Sequence, residues 1–289
     1  MNKVLIIGKG YIGNYLKTHL ERHNCNDIIH ISKKDVNYDN PIEFQDFLDK
    51  TCDSDWWVIN CTGFTGTPNV DGCEDYKQEC YHYNVTVPLY ITKVCNDMNM
   101  RVIHIGSGCV YSGYDKIYTE DDTPDFGVDC FNSSTYSKTK HAFEVLSSHL
   151  NRYIFRIRIP FNGVYEQKNY LYKVLKYENL ITKQNSITCV DDLMVFIEKF
   201  INMKNTLIPF GIYNVVNNGS IDAAEVVDIL KQQGVSNPNW KFVTIKEANF
   251  KVCRSNCILS TEKIKKLGID LPDVRESLTK AIKQFSTNI

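Results

Sequence analysis

Three glycines in the order Gly8-Lys9-Gly10-Tyr11-Ile12-Gly13 stand directly after the β-branched run Val4-Leu5-Ile6-Ile7 and directly before a segment of helical period. In that context each glycine has a separate task. The first permits a tight turn, the second lets the backbone approach a pyrophosphate, and the third lets helix and strand pack closely, while the helix N-terminus faces the anion. A strand, a glycine turn and a helix in this order open a βαβ unit, so the sheet that follows is expected to be parallel.

The rest of the chain agrees with that start. Apolar runs suited to strands occupy residues 4–7, 27–32, 56–60, 101–105 and 153–159, and segments of helical period lie between them at 11–23, 41–50, 74–96 and 134–150. The fold class expected is α/β: a Rossmann-type, doubly wound parallel sheet with a smaller C-terminal α/β domain. After Pro160 the pattern changes to loops, a helix over 191–203, a strand over 213–216, and a helix opened by Ser220 and closed by Gly234. The division is placed at 1–160 for the dinucleotide-binding domain and 161–289 for the substrate domain. No Gly/Ser linker marks the boundary, so segments of the two can interleave.

Composition narrows the partner. Lys+Arg of 33 against Asp+Glu of 34 leaves a net charge of -1, without the basic footprint of a nucleic-acid binder. No apolar run approaches the roughly 18 residues of a membrane span, and residues 1–3 lead straight into the first strand without a secretory signal, so a cytoplasmic enzyme with no membrane partner is expected. The 11 cysteines are odd in number and contain no C-x-x-C pair, so they read mostly as reduced, buried side chains. The seven histidines give no metal signal; His19 and His23 share a helix face and read as a solvated pair.

At the end of the second strand, Ile31-Ser32-Lys33-Lys34-Asp35 has no acid at the position that meets a ribose 2′-hydroxyl. Two lysines and a hydroxyl suit a 2′-phosphate instead, and NADPH is the cofactor expected. Tyr136 and Lys140 stand one turn apart at the start of the helix after the fourth strand, and Ser107 closes that strand at the sheet edge where ligands bind. An ammonium near the phenol favours the phenolate, so Lys140 is expected to lower the Tyr136 pKa.

The glycine loop, Asn60-Cys61-Thr62-Gly63, Ser107, and Tyr136 with Lys140 resemble the extended short-chain dehydrogenase/reductases over essentially the whole chain. That resemblance implies Ser107, Tyr136 and Lys140 as the catalytic triad, and cofactor contacts from Gly8, Gly10, Tyr11, Ile12, Gly13, Cys61, Thr62, Gly63, Tyr136, Lys140 and Pro160. Asn84 matches the family's structural asparagine. Thr65-Gly66-Thr67-Pro68-Asn69-Val70-Asp71, Gly108-Cys109-Val110-Tyr111, the 131–140 segment, Arg156-Ile157-Arg158-Ile159-Pro160 and Arg254-Ser255-Asn256 are similar to the UDP-4-keto-6-deoxy-glucose 3,5-epimerase/4-reductases of UDP-L-rhamnose synthesis. By that similarity Cys109 and Lys173 form the epimerising acid–base pair. Thr65, Gly66, Pro68, Asn69, Val70, Asp71 and Arg254 contact a UDP-linked 4-keto-6-deoxy sugar, with Arg254 facing the diphosphate, and a homodimer is the family-level expectation. Both Cys109 and Lys173 have bland readings, as a buried thiol and a solvated lysine. Three alternatives stay open: a 4-reductase acting on an already epimerised dTDP sugar, an enzyme like GDP-L-fucose synthase, and a non-catalytic regulatory subunit on the same fold.

Overall fold

The computed structural model describes residues 2–67, 69–203 and 208–287. Its centre is a six-stranded, all-parallel sheet of β1 (Lys3–Ile7), β2 (Ile28–Ile31), β3 (Trp56–Asn60), β4 (Arg101–Ser107), β5 (Tyr153–Ile157) and β7 (Gly211–Asn214), in the order β2-β1-β3-β4-β5-β7. The order reverses between β1 and β3. This is the switch point at which open α/β sheets leave a crevice for ligand.

Alternation along β1 explains the layering. Val4 and Ile6 face one side, with Leu16 and Leu20 of α1 (Tyr11–Arg22) and Phe196 and Phe200 of α8 (Val190–Ile201). Leu5 and Ile7 face the other, with Phe44 and Leu48 of α2 (Pro41–Thr51) and Ile91 and Val94 of α5 (Val87–Asp97). Strands covered on both faces read as continuous apolar runs, which is why β3 is buried throughout.

The expected helix over 74–96 is broken into α3 (Gly72–Asp75), α4 (Lys77–Tyr81), a π-helical turn (His82–Thr86) and α5. Tyr76, at φ -124°, interrupts it first, and the π turn then inserts a residue and rotates the helix face. α6 (Thr135–Leu146) is capped by Ser134, whose hydroxyl accepts from the Ser137 N–H.

Beyond residue 160 the chain returns to the first sheet through α8, β7 and the segment that follows residue 260, and the segments interleave. The second core gathers α7 (Tyr170–Lys176), α9 (Ala223–Gln232) and α11 (Val274–Ser286) around Leu171, Val226, Leu230, Leu278 and Phe285. Beside it lies a two-stranded parallel sheet of β6 (Asn179–Ile181) and β8 (Lys241–Val243), whereas α10 (Glu262–Lys266) packs on β7 and gives Ile264 to the first core. Asp222, not Ser220, caps α9: its carboxylate accepts from the N–H groups of Ala224 and Glu225. Among the described residues no helix is long and apolar enough to cross a membrane.

Candidate active site

The glycine loop is built for an anion. Gly8 has φ +107°, a conformation L side chains rarely adopt, and a Cβ on Gly13 would lie 1.9 Å from the Gly8 carbonyl oxygen. Gly10 is the N-cap of α1 and makes no side-chain cap, while a Cβ there would meet nothing within 4 Å. The first N–H groups of α1 therefore open onto free space, and this cradle fits a dinucleotide pyrophosphate.

At the end of β2 the side chains sort differently from expectation. The Asp35 carboxylate turns back and accepts from the Ser32 N–H and hydroxyl, both at 2.7 Å, and pairs with Lys9 at 2.9 Å. Lys9, then Ser32, hold this carboxyl well below the usual range. Lys33 is engaged with Asp39 and with the Tyr83 hydroxyl. Lys34 is exposed and makes no ion pair among the described residues.

Past β3, Asn60 Oδ1 accepts from the Thr62 N–H and hydroxyl, at 2.9 and 2.6 Å, and fixes the Cys61-Thr62-Gly63 turn. Burial pushes the Cys61 thiol up to about 12, so it stays a neutral wall. Asn84, on the π turn, accepts from the Phe64 N–H at 2.8 Å and donates to the Phe64 carbonyl at 2.9 Å and to the Thr139 hydroxyl at 3.1 Å. The extra residue of the π turn aims this amide at the loop and at α6 together, which is the structural role expected of it.

Ser107 is buried at the end of β4, and its hydroxyl accepts the Cys109 N–H at 3.2 Å. Tyr136 and Lys140 rise from the first turns of α6, with the Lys140 Nζ 5.9 Å from the centre of the phenol ring. Here the expected pKa direction is reversed. Burial raises the Tyr136 phenol, the charge of Cys109 adds to it, and the Ser107 hydroxyl opposes it. Burial also lowers Lys140 to about 8, so it remains mostly ammonium at neutral pH and loses its charge just above it.

Behind Cys109 lies Arg158, fully buried, with Nη1 3.6 Å from the thiol sulfur and donating to the Gly108 carbonyl and the Ser255 hydroxyl. Its other terminal nitrogen donates to Asn185 and the Ser255 carbonyl. Among the described residues no carboxylate pairs with it. Two residues along β5, Arg156 is by contrast paired bidentately with Glu144 of α6, at 2.8 and 2.6 Å.

The loop over 65–71 is shaped by Gly66, at φ +71°, and by Asn69, whose Oδ1 accepts from the Asp71 N–H; Val70 lies in the turn between them and α3. Pro68 lies outside the described residues. Arg254 does reach this loop, but its guanidinium is bound to both oxygens of Asp71, at 2.8 and 2.7 Å, and lies over the Phe250 ring. Two residues assigned separately to substrate are thus one ion pair. Thr65 accepts from Lys168 at 3.2 Å. Lys173, on α7, is lowered by burial and then by the charge of Lys168. Pro160 follows Ile159, whose φ of +41° is rare for a β-branched residue, and its carbonyl accepts from the Tyr170 N–H that begins α7.

A family model described as the RmlD substrate binding domain matches residues 1–287. The chain belongs to this family. Among relatives of the RmlD-type chain, a bifunctional dTDP-4-dehydrorhamnose 3,5-epimerase/dTDP-4-dehydrorhamnose reductase of Arabidopsis thaliana is 30% identical over 237 residues, 78% of this chain and 75% of that protein. The fold is shared with the L780 UDP-rhamnose synthase of Acanthamoeba polyphaga mimivirus, at TM-score 0.84 and 23% identity over 98% of this chain and 99% of that one. It is shared too with a dTDP-4-dehydrorhamnose reductase of Bacillus anthracis in complex with NADP, at TM-score 0.82 and 21% identity over 97% and 98%.

Three features of this RmlD-family chain lay outside the sequence reading. Lys9 serves the β2 edge, although it was counted only as a spacer in the glycine loop. Arg158 was noticed within a motif but given no role; an arginine alternating with apolar residues in a strand was the available signal. The third concerns His19 and His23: both hydrogen-bond Glu198 of α8 and are not simply solvated, because α8 folds back onto α1 from 175 residues away.

Proposed function

We propose that the chain is an NADPH-dependent nucleotide-sugar 4-reductase of rhamnose synthesis, and that the same site first epimerises C3 and C5, converting UDP-4-keto-6-deoxy-D-glucose to UDP-L-rhamnose. The observation that carries this reading is the joining of Ser107 to Cys109 at the end of β4, within charge reach of Tyr136 and backed by the Arg158 cation. A plain reductase needs the serine, the tyrosine and the lysine. It does not need a thiol seated beside them.

In this mechanism the 4-ketone lies against Ser107 and Tyr136, whose hydroxyls donate to its oxygen and stabilise the enolate formed when a C3 or C5 proton leaves. Cys109 and Lys173 exchange the proton with opposite faces of the ring; burial already lowers Lys173 toward the free-base form that this requires. When bound, NADPH supplies the hydride that adds to C4. Tyr136 gives its proton to the C4 oxygen, the Lys140 ammonium would hold the cofactor ribose beside it, and Asn84 joins the Phe64 loop to α6. Gly8, Gly10 and Gly13 hold the pyrophosphate, and Lys9 and Lys34 meet the 2′-phosphate. Residues 161–289 bring Lys173 and Arg254 to the nucleotide-sugar side, which they share with the 65–71 loop. The Arabidopsis relative, a bifunctional dTDP-4-dehydrorhamnose 3,5-epimerase/dTDP-4-dehydrorhamnose reductase, supports both steps.

Incubation with UDP-4-keto-6-deoxy-glucose in heavy water tests the reading, with deuterium read at C3 and C5 and NADPH loss followed in parallel. Wild type takes up deuterium without NADPH, and Cys109→Ala loses that uptake while still reducing a pre-epimerised 4-keto substrate. Reduction of the pre-epimerised sugar alone by wild type would leave a 4-reductase, and no turnover of either sugar would leave a binding module.

A further inference from the structure

We propose that His19, His23 and Glu198 form a binding site for one divalent transition-metal ion that ties α1 to α8. His19 lies in the last turn of α1 and His23, four residues on, is its C-cap; Glu198 comes from α8, packed alongside. His19 Nε2 lies 2.7 Å and His23 Nδ1 2.6 Å from the same carboxylate oxygen, and the three ligand atoms lie within 4.8 Å of one another. The rings, 4.2 Å apart between centres, turn their inward nitrogens to one side. Glu198 has no other ion-pair partner among the described residues, so its charge is met only by imidazoles.

Two imidazole nitrogens and one carboxylate oxygen are a ligand set for zinc and its neighbours, not for calcium or magnesium. An ion about 2.0–2.2 Å from each group would replace the two N–H···O bonds, and each ring would move its proton to the outer nitrogen to present a lone pair. His19 and Glu198 are the sheltered members, with side chains 16% and 27% exposed, and His23 at 47% provides the entry path and room for a water as fourth ligand. The site lies at the C-terminal end of the helix whose N-terminus forms the phosphate cradle, apart from every residue in the proposed reaction. An ion there would brace the cofactor helix against α8 without taking part in chemistry.

The test uses the full, tag-free chain after chelator treatment, titrated with zinc chloride by calorimetry and with cobalt(II) by absorption. One zinc per chain is expected, together with a rise in thermal midpoint and a cobalt spectrum without a thiolate charge-transfer band. His23→Gln and Glu198→Gln should each weaken zinc binding at least about tenfold and abolish the midpoint rise. Cys253→Ser, which removes the exposed thiol, should change neither. His23 is exposed enough that its replacement leaves the metal-free midpoint near wild type, which separates lost ligation from lost folding. Wild-type zinc affinity in both the His23 and Glu198 variants, a thiolate band with cobalt, or no uptake from micromolar zinc would each overturn the site.

Discussion

Gly10 and Gly13 lie one helical turn apart in the same loop, yet alanine at the two positions should fail in different assays. A Cβ at Gly13 would sit 1.9 Å from the Gly8 carbonyl oxygen, against the 3.0 Å below which such contacts essentially do not occur, so strand and helix must separate by about 1.1 Å. Forced separations of this kind cost about 1–3 kcal/mol, and at about 2–4 °C per kcal/mol for a chain near this size the melting temperature falls by about 2–12 °C. A Cβ at Gly10 meets nothing, and its backbone at φ -95° suits alanine, so the metal-free, ligand-free melting temperature moves by little. The methyl group instead projects over the uncapped N–H groups where the pyrophosphate is to lie. Gly10→Ala should therefore raise the dissociation constant for NADPH about tenfold or more, and Gly13→Ala should lower stability first. Differential scanning fluorimetry with and without NADPH separates the two. Equal loss of melting temperature in both variants, or unchanged NADPH binding by Gly10→Ala, would refute the assignment of the cradle.

Other consequences follow from single groups. Glu144→Gln leaves the Arg156 guanidinium buried without its carboxylate and should cost about 3–5 kcal/mol in denaturant unfolding, whereas Lys93→Gln, in an exposed pair with Asp97, should cost well under about 1 kcal/mol. Lys140 carries a pKa lowered by burial to about 8, so kcat/KM for ketone reduction should fall tenfold per unit above pH 8; a profile flat to pH 10 would remove the ammonium from the mechanism. The same shift has the unfolded chain binding more protons between about pH 8 and the ordinary 10.5, so this group makes stability rise with pH across that window. Asp35→Asn removes the carboxylate facing Ser32 and Lys9 and should raise the ratio of kcat/KM for NADPH over NADH several-fold, measured with each cofactor at fixed sugar.

What could be read in advance was whatever depends on local pattern. The β1–glycine loop–α1 unit needed only apolar alternation, three glycines and helical spacing, and its structure follows them nearly residue for residue. Ser107, Tyr136 and Lys140 were legible for the same reason, since each sits at a strand end or in a helix's first turns. The segment over 74–96 was not, because a π turn leaves the composition of a helix unchanged and only the aim of Asn84 requires it. The Arg254–Asp71 pair joins residues 183 positions apart, and the Glu198 contact depends on α8 crossing to α1; no spacing rule reaches that far. The pKa direction of Tyr136 was missed for a further reason. Proximity of a lysine was read without the burial that raises the phenol.

The return of the chain to its first sheet bears on how such a protein can be made and cut. β5 pairs with β7 from Tyr153↔Gly211 to Arg156↔Asn214, so the outer edge of β5 stays without a neighbour until residue 214 has been synthesised. Until then the nascent chain exposes the apolar faces of Tyr153 and Phe155, which α8 and Tyr213 later cover. A fragment ending at residue 160 would keep the glycine loop and the triad yet present an open, aromatic strand edge, the kind of surface that recruits other strands. Dissection at that point is therefore expected to yield aggregates in place of a free cofactor-binding domain, and the ribosome must deliver about three-quarters of the chain before the first sheet can close.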